Sequence, residues 1–387
     1  ERRYHGVLGN TLCGLEKQIM NVDGRAYRSI WIDPNDDLVR VIDQTKLPFR
    51  FEIKTLDSES KTADAIHDMV VRGAPLIGAT AACGLFLAAK TDPSDNFLNN
   101  AYQELLNSRP TAVNLRWALD RIVPDLLTTS EDKRKGLART LAQQICDEDI
   151  KTNSAIGDHG LGLIRDIAIK NNLKIVNILT HCNAGWLATV DWGTALAPIF
   201  KAHDSAIKVH VWVDETRPRN QGASLTAWEL NAHGVPHTVI SDNAGGHLMQ
   251  KGVVDLCIVG SDRTTRGGDV CNKIGTYLKA LAAHDNQLPF YAALPSSTID
   301  WTITDGVGQI PIEERAEEEV THIWGLDEHG DTRKIRLVSQ ESHAANPAFD
   351  VTPRRLITGI ITERGVVAAE ESDLLKTFPE FIDTPTL

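Results

Sequence analysis

The chain has 387 residues, 42% of them apolar and 24% charged, with a formal net charge of −12. That length suits two domains, and the apolar content excludes disorder over most of the chain. The acidic balance argues against nucleic acid as a partner, no run of about 18 apolar residues marks a membrane span, and the opening ERRYHG lacks the apolar core of a signal peptide.

In chain order, residues 27–33 (YRSIWID) and 38–43 (LVRVID) alternate as short strands. Residues 62–89 read as two helices, broken at Arg72, Gly73, Ala74 and Pro75, where Gly and Pro punctuate the pattern. Residues 113–127 and 131–146 add two amphipathic helices. From about residue 150 the character changes. β-rich runs at 175–181, 209–213, 237–241, 253–259 and 290–294 are separated by helix-like segments at 194–202, 224–232, 246–251 and 272–283. Strands alternating with helices predict βαβ units and a mostly parallel sheet. The expected fold class is α/β: a smaller, mainly helical domain over 1–150 with a short β start, then a Rossmann-like α/β domain over 151–387. No Gly/Ser-rich linker occurs, so a helix should join the two and pack them closely. Residues 312–319 (IEERAEEE) form the one acidic run, read as a solvated helix face or rim.

The six cysteines, Cys13, Cys83, Cys146, Cys182, Cys257 and Cys271, show no CxxC and no zinc-like spacing. A chain this long needs no disulfides, so a reducing, cytoplasmic compartment is expected, with most thiols as small buried hydrophobes.

In open α/β sheets, ligands gather outside the carboxyl ends of the strands. Those positions carry Cys182, then Asp214 and Glu215, Asp242 and Asn243, Asp262 and Arg263, and Ser296 and Ser297. A thiol and several carboxylates converging on one crevice exceed the needs of packing, because carboxylates are rarely buried unless paired or used. Cys182, in LTHCNAG, follows an apolar strand. N–H groups at a helix start there would depress its pKa and fit it for proton transfer or nucleophilic attack; a buried structural cysteine is the plain alternative. Asp262 emerges from an apolar run, and burial would raise its pKa into the range of a usable acid; a helix cap or a partner for Arg263 is the alternative. Asn272 and Lys273 open the next helical pattern and, with the Gly267–Gly268 turn, would hold an anion at its N-terminus. Arg72 suits a phosphate fork, with Gly73 freeing the backbone for close approach. Arg109 precedes an apparent helix start at Pro110 and Thr111, and Gln221 precedes a helix apparently capped by Ser224; solvated surface positions are the alternatives for both. No zinc signature, Walker loop or G-x-G-x-x-G occurs, so no metal or cofactor is assigned and a dinucleotide is not expected. The local reading is an enzyme acting on a small phosphorylated metabolite, with cysteine and aspartate as acid–base candidates.

Taken together, IDQTKLP (42–48), VRGAPLIG (71–78), SRPTAVNLRWALDR (108–121), LTHCNAG (179–185), GTAL (193–196), DETRP (214–218), QGASLTAWEL (221–230), SDNAGG (241–246), GSDRTTRGGDVCNKIGTY (260–277) and NPAFDVTP (346–353) resemble the 5-methylthioribose-1-phosphate isomerase family of methionine salvage. The resemblance implies a fold shared with regulatory subunits of a translation-initiation exchange factor and with ribose-1,5-bisphosphate isomerase. It implies an aldose–ketose isomerisation with Cys182 and Asp262 as the catalytic pair, Asp262 as general acid at the ring oxygen and Cys182 as proton carrier at C1/C2. It places Arg72, Gly73, Ala74, Arg109, Gln221, Asn272 and Lys273 at substrate-binding positions, and implies a homodimer. Arg219, Asn220, Ser224, Cys271 and Trp186 depart from the family's usual residues and leave the 5-substituent open between methylthio and deoxy. Arg219 keeps ribose 1,5-bisphosphate open as a substrate, and a non-catalytic regulatory subunit is the reading from another class.

Overall fold

The structure is a computed structural model and describes residues 20–386, so Cys13 and the N-terminal ERRYHG lie outside the described residues. A small ribbon, β1 (Asn21–Val22) and β2 (Arg25–Ala26), leads into an antiparallel sheet of β3 (Ile30–Ile32), β4 (Val39–Ile42) and β5 (Ile53–Leu56). Helix α1 (Glu59–His67) starts at Ser58, whose hydroxyl accepts from the Lys61 N–H. Helix α2 (Ala74–Thr91) starts behind Gly73, at φ 92°, with Pro75 just inside its first turn. It is long and apolar enough to cross a membrane, yet 89% of it is buried inside the protein. Helices α3 (Asp95–Ser108), α4 (Val113–Thr128) and α5 (Glu131–Lys170) pack around it. An apolar helix with no polar face needs that complete jacket.

The helical pattern expected to end at Cys146 instead continues, and α5 runs unbroken for 40 residues through position 150. The apolar cores change over within it: Ile150 packs in the first and Ile156 in the second.

The chain then forms β6 (Val176–Thr180), α6 (Ala197–Asp204), β7 (Val209–Asp214), α7 (Ala227–His233), β8 (His237–Ile240), α8 (Ala244–Gln250) and β9 (Leu256–Val259). There follow the hairpin β10 (Arg263–Thr265) and β11 (Val270–Lys273), α9 (Thr276–Asp285), β12 (Phe290–Ala293) and β13 (Ile299–Asp300). The last strands are the hairpin β14 (His322–Leu326) and β15 (Thr332–Arg336), then β16 (Phe349–Thr352), β17 (Gly359–Thr362) and β18 (Gly365–Val367). The main sheet has seven strands in the order β18-β17-β12-β9-β6-β7-β8. All are parallel except the edge strand β18. Strands covered on both faces read as unbroken apolar runs, as LCIV does in the fully buried β9. From β6 the chain builds outward through β7 and β8, then returns to build the other side from β9. The topological switch point therefore lies between the neighbours β6 and β9, where such sheets open a ligand crevice.

A second sheet, β13-β10-β11-β16, receives the chain after β9. Here the helical reading of Asn272 and Lys273 is corrected. Both lie in β11, paired with Asp350 and Phe349 of β16, and α9 begins only at Thr276 after Gly275 at φ 100°. Pairing with a strand some eighty residues away overrides the local pattern.

Candidate active site

Cys182 lies just beyond β6 and Asp262 just beyond β9, on the two sides of the switch point. Both line a pocket with Met69, Arg72, Gly73, Arg109, Gln221, Lys273 and Phe349. An adjoining cavity is bordered by Arg109, Asp262 and Arg263 and by apolar groups including Ala74, Ile77, Ala112, Ile310 and Pro311. Each residue assigned a catalytic or substrate-binding role borders one of these spaces except Asn272, whose buried amide donates to Thr276 Oγ1 at 3.0 Å.

Cys182 adopts φ 67°, a left-handed conformation that a side chain keeps only when its surroundings over-determine it. Its N–H donates to Thr216 Oγ1 at 2.8 Å, its carbonyl accepts the Thr226 hydroxyl at 2.7 Å, and its thiol donates to Gln221 Oε1 at 3.3 Å. The following segment makes only a 3-10 turn, Trp186–Ala188, so the helix start that would depress the thiol pKa is absent. Burial raises that pKa, against the opposing pull of Arg72 and Lys273. The expected downward shift is thus corrected to an upward one. Gln221 precedes a π-helical turn, Gly222–Thr226, with Ser224 inside the turn rather than at a cap.

Burial also raises the Asp262 carboxyl pKa, with Lys273, Arg109 and Arg72 pulling it down. Arg263 does not serve Asp262; it pairs with Asp300. Lys273 sits with its ammonium 4.8 Å from the Phe349 ring centroid. Burial lowers its pKa, and Cys182 and Asp262 raise it. Arg72 and Arg109 are buried, not surface charges. Arg72 donates to Asn183 Oδ1 at 2.5 Å and to the Asn183 carbonyl at 2.7 Å; Arg109 donates to Glu313 at 2.8 Å. Gly73 is required by space, since a Cβ there would lie 2.5 Å from the Ala188 carbonyl oxygen.

The other strand-end groups do not converge on the cavity. Asp214 holds His181 Nδ1 at 2.9 Å and Lys279 at 3.1 Å. Asp242 accepts the N–H groups of Thr216 and Arg217, both at 2.7 Å. Ser296 binds Glu363, and Ser297 accepts from Asn114. The acidic run is largely exposed, as a rim should be, with Glu314, Glu317 and Glu318 open to solvent and only Glu313 and Glu319 half-buried among its glutamates. Glu313 binds Arg109 and Arg315, and Glu319 binds Arg219 and Arg315. Burial opposes ionisation of Glu319, but Arg315 and Arg219 hold its pKa at about 2. Sequence reading missed Met69 and Phe349 in the cavity wall and Glu313 on Arg109. Only Phe349 carried a signal, its place in NPAFDVTP.

The model of the initiation factor 2 subunit family matches residues 70–369. A methylthioribose-1-phosphate isomerase from Methylobacterium nodulans is 63% identical over 361 residues, covering 93% of this chain and 99% of that protein. The crystal structure of 5-methylthioribose 1-phosphate isomerase from Pyrococcus horikoshii superposes with a TM-score of 0.78 at 40% identity, over 92% of this chain and 97% of that one. The delta subunit of translation initiation factor eIF-2B from A. fulgidus gives 0.74 at 37% identity, over 92% and 100%. The chain belongs to the initiation factor 2 subunit family and, within it, to the methylthioribose-1-phosphate isomerases.

Proposed function

We propose that this chain converts 5-methylthioribose 1-phosphate to 5-methylthioribulose 1-phosphate. The observation that carries the reading is a buried thiol and a buried carboxyl sharing one cavity with Arg72, Arg109 and Lys273. The reaction is difficult because phosphate on C1 blocks simple opening to an aldehyde. The ring must open with the phosphate attached, and hydrogen must then move from C2 to C1.

Asp262, protonated in its buried setting, gives its proton to the ring oxygen as the C1–O bond breaks. The carboxylate left behind, beside Lys273 and Arg109, takes the C2 proton and leaves an enol phosphate. The Cys182 thiol delivers a proton to C1 while the C2 hydroxyl proton returns to sulfur, so both acids end as they began. Arg72, Arg109, Lys273 and the N-terminus of α2 at Gly73 and Ala74 form the cationic, N–H-rich surface that suits a phosphate. Gln221 orients the thiol. Asn272 acts from behind through Thr276, whose hydroxyl donates to the Lys273 carbonyl at 2.6 Å. A site with little water protects the enol phosphate from losing its phosphate.

The apolar lining of the adjoining cavity supports an uncharged 5-substituent. A second phosphate would have to share Arg109 with the first, since Arg263 is tied to Asp300 and Arg219 to Glu319. The presence of both acids supports an enzyme over a purely regulatory subunit. The test is to supply purified protein with 5-methylthioribose 1-phosphate, 5-deoxyribose 1-phosphate and ribose 1,5-bisphosphate and to follow each by phosphorus NMR. A ketose phosphate is expected from the first, and none from the bisphosphate. No ketose from either of the first two would reject the reading.

A further inference from the structure

The loop that follows Cys182 touches both sides of the site without secondary structure of its own beyond one 3-10 turn. Asn183 grips Arg72, and the Ala188 backbone packs on Gly73. A carboxylate that no chemical step uses fastens this loop. Glu229, on α7, has no exposed surface. Its Oε2 accepts the Trp186 N–H at 2.9 Å, and its Oε1 accepts the Leu187 N–H at 3.1 Å and Asn183 Nδ2 at 2.8 Å. Gly185 makes the approach feasible, because a Cβ there would lie 1.8 Å from Oε2.

Burial raises the Glu229 pKa to about 8, with Asn183, the Leu187 and Trp186 N–H groups and Arg72 pulling it down; a buried polar group is costly unless hydrogen-bonded, and packing alone would be served by an apolar residue. What Glu229 adds is direction. By drawing the amide nitrogen of Asn183, it leaves Oδ1 of that amide to face Arg72. The same nitrogen reaches Thr226 Oγ1 at 3.2 Å, and that hydroxyl donates to the Cys182 carbonyl. A carboxylate placed directly on Arg72 would compete with a phosphate for the guanidinium. The intervening amide fixes Arg72 with two of its five donors and leaves the others for an anion.

We propose that Glu229 is a positioning residue which, through Asn183, sets the orientation of Arg72 for the substrate phosphate and holds the loop carrying Cys182. The proposal rests on the reading of Arg72 as a phosphate partner, and the test separates the two. The affinity for inorganic phosphate and the KM for 5-methylthioribose 1-phosphate are measured for wild type, Arg72→Lys, Asn183→Ala, Glu229→Gln and the double variants with Arg72→Lys, with thermal unfolding run in parallel. Arg72→Lys is expected to weaken phosphate and raise KM at least about tenfold. Asn183→Ala and Glu229→Gln should do the same, and should add little once Arg72 is already Lys. Unchanged phosphate affinity in Arg72→Lys would reject the reading of Arg72 and the relay with it. A clear effect in Arg72→Lys, with folded Asn183→Ala and Glu229→Gln at wild-type affinity and KM, overturns the relay alone. So do effects that multiply fully in the double variants. Asn183→Ala keeps Glu229 on its two backbone donors, so this cycle decides the matter if Glu229→Gln does not fold.

Discussion

Protonation determines what Cys182 and Asp262 can contribute. Both are buried, and burial favours their neutral forms. Because Asp262 must begin protonated, kcat/KM is expected to fall as pH rises through its raised pKa. Lys273 holds that pKa down, so Lys273→Met should lower the rate and move the alkaline limb to higher pH. A pH–rate profile reads both effects, and a limb that stays in place would contradict the assignment. The rise at Asp262 was legible because the apolar run before it announces a buried strand. The direction at Cys182 was not, since it depended on a helix start that the chain replaces with a 3-10 turn. Met69 looks like a core residue in any one-dimensional reading, and Phe349 stands out only through its place in NPAFDVTP. The partnership of Glu313 with Arg109 spans 204 residues and has no local signature.

Among the elements, α5 carries the most consequence beyond its own length. Asp149 on α5 accepts the Val190 N–H at 2.7 Å, tying the helix to the segment beyond the Cys182 loop. Burial raises this carboxyl to about 7, with the Val190 N–H pulling the other way. A folded-state pKa above the unfolded value means that the native state holds the proton more tightly. Stability from this group is therefore full at low pH and lost as pH rises from about 4 to about 7, by up to about 4 kcal/mol. Asp149→Asn should flatten that slope, which melting temperatures at pH 5 and pH 8 would show; an unchanged slope contradicts it. Close packing between α5 and α6 is tested at Gly160, where a Cβ would lie 2.3 Å from Pro198 Cγ. Gly160→Val should cost about 1–3 kcal/mol in denaturant unfolding, and a wild-type midpoint would refute this. Five of the seven strands of the main sheet were legible, most of them because buried parallel strands are continuous apolar runs, whereas β17 and β18 were not read. The assignment of β11 failed because its pairing with β16 is non-local, and the true length of α5 was hidden by Gly157, Gly160 and Gly162, which punctuate the helical pattern over its second half.

For the whole molecule, a net charge of −12 coexists with a cavity holding Arg72, Arg109 and Lys273. Net charge describes the solvent face and says little about a ligand the protein encloses. Much of the acidity near the site is spent on neutralising arginines: Glu319 with Arg219, and Glu313 with Arg109 and Arg315. Fold class followed from the alternation of strands and helices, whereas the reaction followed only from many motifs occurring in order. Local chemistry alone reaches a phosphorylated metabolite and stops there. The most direct test of the proposed chemistry gives 5-methylthioribose 1-phosphate to wild type, Cys182→Ser and Asp262→Asn, with conversion followed by phosphorus NMR and binding by calorimetry. Wild type should form the ketose phosphate, while both variants bind it and turn over at least about 100-fold more slowly; an inert wild type, or either variant near the wild-type rate, would contradict it.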